Sequence, residues 1–324
     1  MTLVVLGIDA LDPDLVDPEA HPNLTLTAHQ SIETIDSVAG DPSTHELWPT
    51  IITGLRPDEH GLTLEEDGVA WGNPLLEFGS TVADFFLPDT LQTRIGAWLL
   101  TNTDADAFRT PASYYEENGL ETLFDDHEAT AIGVPNYVID PDTNDHEHNL
   151  RQSLGDLFER APEEKGGHSS SDPYEFYEQC LEMMMVRIAR ARRGLRGSRY
   201  ELVFAYTSGL DLVGHVTYNL PALQRSAYDE TDEFVGELRE DLDDGDELLL
   251  VSDHGLQEGV HTHEAMVAGT DEEMINTIDS VVDVRAAVEA ELRGGNHLYD
   301  REEGSLYEGD TAEVRGQLED LGYM

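Results

Sequence analysis

Three short apolar runs, LVVLGI at 3–8, ELVFAYTSG at 201–209 and ELLLVSD at 247–253, each lead into side chains that bind cations. Asp9 follows the first, Asp211 and His215 follow the second, and the third ends in Asp253 and His254; His261 and His263 come soon after. Carboxylate and imidazole in this mixture suit Zn²⁺ or a similar divalent ion, and a site with about three protein ligands keeps a position open for water or substrate. Each residue alone has a plainer explanation. An Asp at a strand end commonly caps a helix or makes a turn, and a lone His is more often a surface or core residue than a ligand. The groupings carry more weight: Asp211 and His215 stand at i and i+4 on one helical face, and Asp253-His254-Gly255 follows a strand directly, with Gly255 allowing a tight turn or a close backbone approach to an ion. Asp12 and Asp14, in LDPD, read as turn chemistry.

A hydroxyl belongs with these residues. In DPSTHELWPTIITGLRPDEHGL at 41–62, Ser43 and Thr44 precede an apolar-periodic stretch that stops at Gly54, the pattern of a helix with a hydroxyl residue at its start and a glycine end. Orphan N–H groups and the helix dipole at such a start favour an alkoxide and an incoming phosphate. A plain N-cap role for Thr44 is the alternative.

For these groups to meet, the three runs must lie side by side. Their Val, Leu and Ile content reads as strands buried on both faces, and helical patterns at 176–193 and 222–242 alternate with them, so the expected class is α/β with a mostly parallel central sheet flanked by helices on both faces. Parallel strands present their carboxyl ends at one edge, where ligands bind in open α/β sheets. RIGAWLL at 94–100 and TAIGVP at 130–135 are weaker strand candidates; VVDVRAAVEAEL and AEVRGQLEDLGYM, after 270, are amphipathic helix candidates. The whole of 1–324 is read as one catalytic domain, with the polar segment at about 139–175 as an inserted cap or loop.

Composition narrows the function classes. The formal net charge is −50 in 324 residues, which excludes a basic groove for nucleic-acid duplex, and the single Cys180 excludes an intrachain disulfide framework. Neither a membrane-length apolar run nor a signal-peptide start is present, so the expectation is a cytoplasmic protein that does not engage a membrane. Lys165 is the sole lysine, and acid-rich surface without lysine resembles proteins of salt-accumulating halophiles, where a Debye length of about 3 Å at 1 M salt damps self-repulsion.

Taken together, GIDALDPDL, the spacing from Thr44 through Thr53-Gly54, Pro57 and His60-Gly61, LDLVGH at 210–215, and SDHG at 252–255 followed by HTHEAMV resemble the alkaline phosphatase superfamily, in particular its type I phosphodiesterase and nucleotide pyrophosphatase branch. The resemblance covers most of the chain. It implies two divalent ions, Zn²⁺ or Mn²⁺: one held by Asp211, His215 and His261, the other by Asp9, Asp253 and His254 with Thr44 Oγ completing its shell as the nucleophile. His261 is chosen over His263 because the family ligand precedes a small residue, here Ala265, by four positions. Asn73 is the counterpart assigned to a phosphate-contacting Asn. Pro49 departs from the family pattern, so the expected helix starts later and Thr44 falls in the preceding turn. The implied partner is a small phosphorylated substrate, cleaved through a phosphothreonine. A phosphomonoesterase or phosphomutase on the same scaffold, and a non-catalytic metal-stabilised binding module, are the competing readings; a sulfatase is disfavoured because Thr44 cannot become formylglycine.

Overall fold

The computed structural model describes residues 1–37, 40–63, 110–139, 147–161, 163–165 and 167–294. The run at 94–100, Asn73 and the second helix candidate after 270 lie outside them. Met1–Arg293 forms one compact unit.

Its centre is a six-stranded sheet made of β1 (Leu3–Ile8), β2 (Ala28–Glu33), β3 (Ala129–Ile132), β6 (Leu202–Thr207), β7 (Glu247–Val251) and β10 (Glu264–Gly269), in the order β2-β10-β7-β1-β6-β3. Two small hairpins complete the strand set among the described residues: β4 (Phe158–Arg160) with β5 (His168–Ser170), and β8 (Gly255–Gln257) with β9 (Val260–Thr262). β1 pairs in parallel with both β6 and β7, and β3 pairs in parallel with β6. β10 runs antiparallel to β7 and β2. The sheet is therefore mixed and mostly parallel, and all three apolar runs bring their carboxyl ends to one edge. Parallel register sets Ile8 against Thr207 and Gly7 against Val251, which puts Asp9 beside the ends of both neighbouring strands.

Alternation along the strands divides the core into two layers. Val4, Leu6, Ile8, Val203, Ala205, Leu248 and Leu250 point to one face, covered by the helices Pro173–Arg196, Gly209–Thr217 and Pro221–Arg239. Leu3, Val5, Leu202, Phe204, Leu249 and Val251 point to the other, covered by the helices Thr44–Thr53 and Val284–Gly294. β1 is wholly buried, as an all-apolar central strand must be. The polar β2, AHQSIE, escapes the apolar-run test because it is an edge strand with only Ile32 deeply buried. β3 overlaps the first half of the 130–135 candidate.

The described part of the 139–175 segment is not featureless. It holds the helix His148–Leu157 and the β4–β5 hairpin.

Two local devices fix the helix Thr44–Thr53. Ser43 is its extended N-cap residue, and Gly54 ends it at φ +68° with its N–H on Thr50 O. Pro49 lies inside the helix, not before it, so the expected late start is corrected: the helix begins at Thr44. Proline has no N–H for the carbonyl four residues back, which here is His45 O. Asn136 Nδ2 donates to that oxygen at 2.9 Å from a left-handed backbone at φ +55°. A side chain thus replaces the missing backbone donor in the turn that carries Thr44.

Trp48 packs the same helix onto the sheet. A Cβ on Gly7 would stand 2.4 Å from the Trp48 ring, so the indole occupies the space that only glycine leaves on β1. Gly7→Ala is expected to overpack this contact and cost about 1–3 kcal/mol. Chemical denaturation checks it: a lowered midpoint at unchanged slope is the expected result, and an unchanged midpoint removes the constraint.

Candidate active site

Asp9, at the end of β1, is buried, and so are Asp253 and His254, just past β7. Asp211 and His215 lie on one face of the helix Gly209–Thr217, as their spacing implies, and His261 sits in β9. Around these residues the ligand-type atoms of Asp211, His215 and His261 lie within 4.8 Å of one another, and so do those of Asp9, Asp211 and His254. Asp211 stands between the groups. Asp253 Oδ2 lies 3.4 Å from His254 Nε2, as does Asp9 Oδ1. Thr44 Oγ1 completes the cluster at 3.3 Å from Asp9 Oδ1 and 3.2 Å from His254 Nε2.

The imidazoles are aimed by backbone carbonyls. His215 Nδ1 donates to Gly259 O at 3.0 Å, His261 Nδ1 to Pro42 O at 2.8 Å and His254 Nδ1 to Gly255 O at 3.1 Å. With Nδ1 carrying the proton in each ring, all three Nε2 lone pairs face the carboxylates, the arrangement in which backbone partners orient metal-binding histidines. His215 Nε2 and His261 Nε2 stand 3.0 Å apart. Two lone pairs at that distance require a cation, proton or metal, between or beside them.

The carboxylates make the same demand. Neither oxygen of Asp253 accepts a hydrogen bond among the described residues, although the side chain is fully buried, whereas Asp211 Oδ1 faces Nε2 of both His215 and His261 at 3.3 Å. A buried, unpaired carboxylate is expensive unless a cation compensates it. Burial, then the nearby Asp253 and Asp211 charges, raises the Asp9 pKa well above its ordinary range, and burial pushes Asp253 up to about 6. Burial opposes ionisation of Asp211 too, yet His215 and His261 hold it well below the usual carboxylate range. In return Asp211 outweighs burial at His261 and raises it to about 9, while burial and His261 lower His254 to about 4, leaving its ring neutral. A donor set of carboxylates and imidazole Nε2 atoms, in which a cation would take the place of the proton that Asp211 holds on His261, fits divalent cations.

A model of one protein family, type I phosphodiesterase / nucleotide pyrophosphatase, matches residues 3–321. The chain belongs to that family. It is accordingly a hydrolase of phosphoric esters. No curated protein sequence matches it. Among solved structures, a Pyrococcus horikoshii protein is similar at 13% identity and TM-score 0.46, covering 92% of this chain and 98% of its own. Murine ectonucleotide pyrophosphatase / phosphodiesterase 5 is similar at 15% identity and TM-score 0.43, over 79% of this chain and 57% of its own. The alkaline phosphatase of the Antarctic bacterium TAB5 is similar at 12% identity and TM-score 0.40, over 90% of this chain and 97% of its own.

In this phosphodiesterase-family chain, Asp9, Thr44, Asp211, His215, Asp253, His254 and His261 gather in one place, while His263 is exposed and pairs with Asp36 at 2.6 Å. Asp12 serves the turn chemistry its sequence suggested: Oδ1 accepts from Asp14 N and Oδ2 from Leu256 N, each at 2.9 Å. Gly255 is needed for that contact, since its Cβ would meet Asp12 Oδ2 at 2.6 Å.

Sequence reasoning missed three neighbours. Tyr206 Oη lies 2.5 Å from Asp9 Oδ2; its position at the carboxyl end of β6, five residues before Asp211, was the available signal. Asn136 carried none, because its role depends on Pro49. His168, on the β4–β5 hairpin, sets its ring 5.3 Å from that of His215, so the polar segment reaches the site.

The cost of the Asp253 carboxylate gives a prediction. Its folded-state pKa of about 6 lies above the ordinary 3.8, so its charge destabilises the metal-free protein above pH 6, and this cost fades as pH falls from 6 towards 4. Asp253→Asn is expected to melt higher than wild type at pH 8 in EDTA, with the gap narrowing towards pH 5, and to lose most of the stabilisation that Zn²⁺ gives wild type. Thermal melts with and without chelator test both signs. A variant less stable than wild type in EDTA at pH 8 contradicts the account.

Proposed function

We propose that this protein cleaves phosphodiester or pyrophosphate bonds of small phosphorylated substrates through a phosphothreonine at Thr44, beside two divalent cations. The observation that carries the reading is the contact of Thr44 Oγ1 with Asp9 Oδ1 and His254 Nε2, next to carboxylate oxygens that lack protein donors. Asp211, His215 and His261 would hold one ion, and Asp9, Asp253 and His254 the other, with Zn²⁺ first by donor chemistry and Mn²⁺ second. When bound, such ions neutralise phosphoryl charge and make a nearby hydroxyl more acidic.

The chain's own residues supply the rest. Thr44 Oγ1 donates to Asp9 Oδ1, which directs its proton away from the substrate and leaves a lone pair for phosphorus. As first residue of its helix, Thr44 lies at the positive end of the dipole, which favours both the alkoxide and the arriving phosphoryl oxygens. Attack forms the Thr44–phosphorus bond and releases the leaving alcohol or phosphate; water then attacks phosphorus and restores the hydroxyl. The β4–β5 hairpin beside His215 is a natural contributor to leaving-group choice.

The acidic surface supports a cytoplasm rich in salt as the working environment. Among the described residues no helix is long and apolar enough to cross a membrane. With a net charge of −50, self-repulsion falls as the Debye length shrinks from about 10 Å at 0.1 M salt to about 3 Å at 1 M. The melting temperature is therefore expected to rise continuously between 0.1 and 2 M KCl; a flat or falling curve refutes the halophilic reading.

Release of p-nitrophenol from bis-p-nitrophenyl phosphate, in high salt with Zn²⁺ or Mn²⁺, tests the activity. Turnover of the diester well above that of p-nitrophenyl phosphate is expected. The reverse preference indicates a phosphomonoesterase, and no turnover of either by folded, metal-loaded protein favours the binding module. Thr44→Ala should lose at least about a thousandfold in kcat, of the order expected when a nucleophile is removed, while metal content stays the same. Undiminished activity removes Thr44 from the mechanism.

A further inference from the structure

We infer that Tyr206 is a positioning residue for Asp9, fixing one carboxylate oxygen so that the other faces Thr44 and the cation. The inference rests on the two-cation reading above and adds to it a residue outside the ligand set.

The geometry divides the labour of one carboxylate. Asp9 Oδ2 accepts from Tyr206 Oη at 2.5 Å, whereas Asp9 Oδ1 meets Thr44 Oγ1 at 3.3 Å and His254 Nε2 at 3.4 Å. An unanchored carboxylate can rotate to offer either oxygen or both. A hydrogen bond from a phenol held in the sheet removes that freedom, because the donor cannot follow the rotation.

Tyr206 is itself clamped from three directions. Its ring packs edge-on against Trp48, 4.9 Å between centroids, so the residue that carries the nucleophile helix also bounds the phenol. Its backbone is paired with β1 at Gly7. Arg187 lies over the ring at 5.4 Å and donates Nη1 to Tyr206 O at 3.0 Å. The guanidinium is buried and neutralised by Glu147, whose Oε2 accepts from Nε at 3.0 Å and from Nη2 at 2.8 Å. Gly133 leaves room for it, since a Cβ there would meet the guanidinium carbon at 2.8 Å. A buried ion pair is weak evidence for stability; here it braces the strand end that presents a donor to a metal-ligand carboxylate. Partners of this kind typically change metal affinity by 10- to 100-fold when removed.

Tyr206→Phe keeps the ring and deletes the donor. Zn²⁺ affinities of the full chain, measured by competition with a chromophoric chelator, are expected to show two ions in wild type. In the variant one ion should bind about 10- to 100-fold more weakly, while the other stays within twofold of wild type. In an Asp9→Ala background the Phe substitution should leave the affinity of the remaining ion unchanged, because its effect passes through Asp9. Equal weakening of both ions, or a further loss in the Asp9→Ala background, means that Tyr206 is structural and overturns the inference. Two unaltered affinities overturn it as well while leaving the two-cation reading intact; a wild-type chain that binds no Zn²⁺ removes both. If the Phe variant does not fold, ¹³C-tyrosine labelling of wild type serves instead. The assigned Tyr206 Cζ resonance should move when Zn²⁺ is added and stay put in Asp9→Ala; an unmoved resonance in wild type overturns the inference.

Discussion

Three buried carboxylates, those of Asp9, Asp211 and Asp253, share one edge of the sheet, and like charges taken out of water repel each other with little screening. Nothing in the hydrophobic core rewards this arrangement. The imidazoles offset part of the charge, chiefly at Asp211, but leave Asp253 without a donor. The remainder of the unit can be understood as the apparatus that forces these groups together: a central strand with no exposed residue, a neighbour on each side in parallel register, and a helix layer on each face. Apolar burial at about 25 cal/mol per Å² supplies the driving force that tolerates so costly a cluster, and on the proposed reading a divalent ion would turn the cost into affinity.

The rigidity of that apparatus is local as well as global. Each histidine of the cluster is tied at Nδ1 to a backbone carbonyl, at Pro42, at Gly255 in β8 and at Gly259 in the β8–β9 turn. The rings of His254 and His261 are stacked with centroids 3.9 Å apart. Displacing one ring therefore disturbs the other, so the two groups of ligand atoms behave as one body rather than as separate pockets joined by Asp211. Trp48 extends this body to the nucleophile helix, since the indole touches both the glycine gap on β1 and the Tyr206 ring.

Most of this was legible before any coordinates. The continuous apolar runs announce strands buried on both faces, and Asp253-His254 directly after such a run has its place decided by the strand alone. The i, i+4 pair Asp211/His215 is legible for the same local reason. The edge strand β2 was hidden because one buried residue in six leaves no pattern. Pro49 misled, since intrinsic helix propensity predicts a break, and only a tertiary donor, Asn136, makes the continuous helix possible. Tyr206 was read as strand core because a tyrosine in an apolar run looks like packing until its hydroxyl is seen on a carboxylate. Tyr206 and Asn136 were missed because their meaning depends on partners 197 and 91 positions away.

The position of β1 has a consequence for how the molecule comes into being. β1 is one of the two central strands of its sheet, and the strands that flank it are supplied by residues 202–207 and 247–251. During synthesis Asp9 must wait for its partners until the chain through Val251 has followed. Such long-range closure is intrinsically slow. On the two-cation reading, a chain that has not reached β7 would lack Asp253 and His254, so cation capture would follow completion of the sheet.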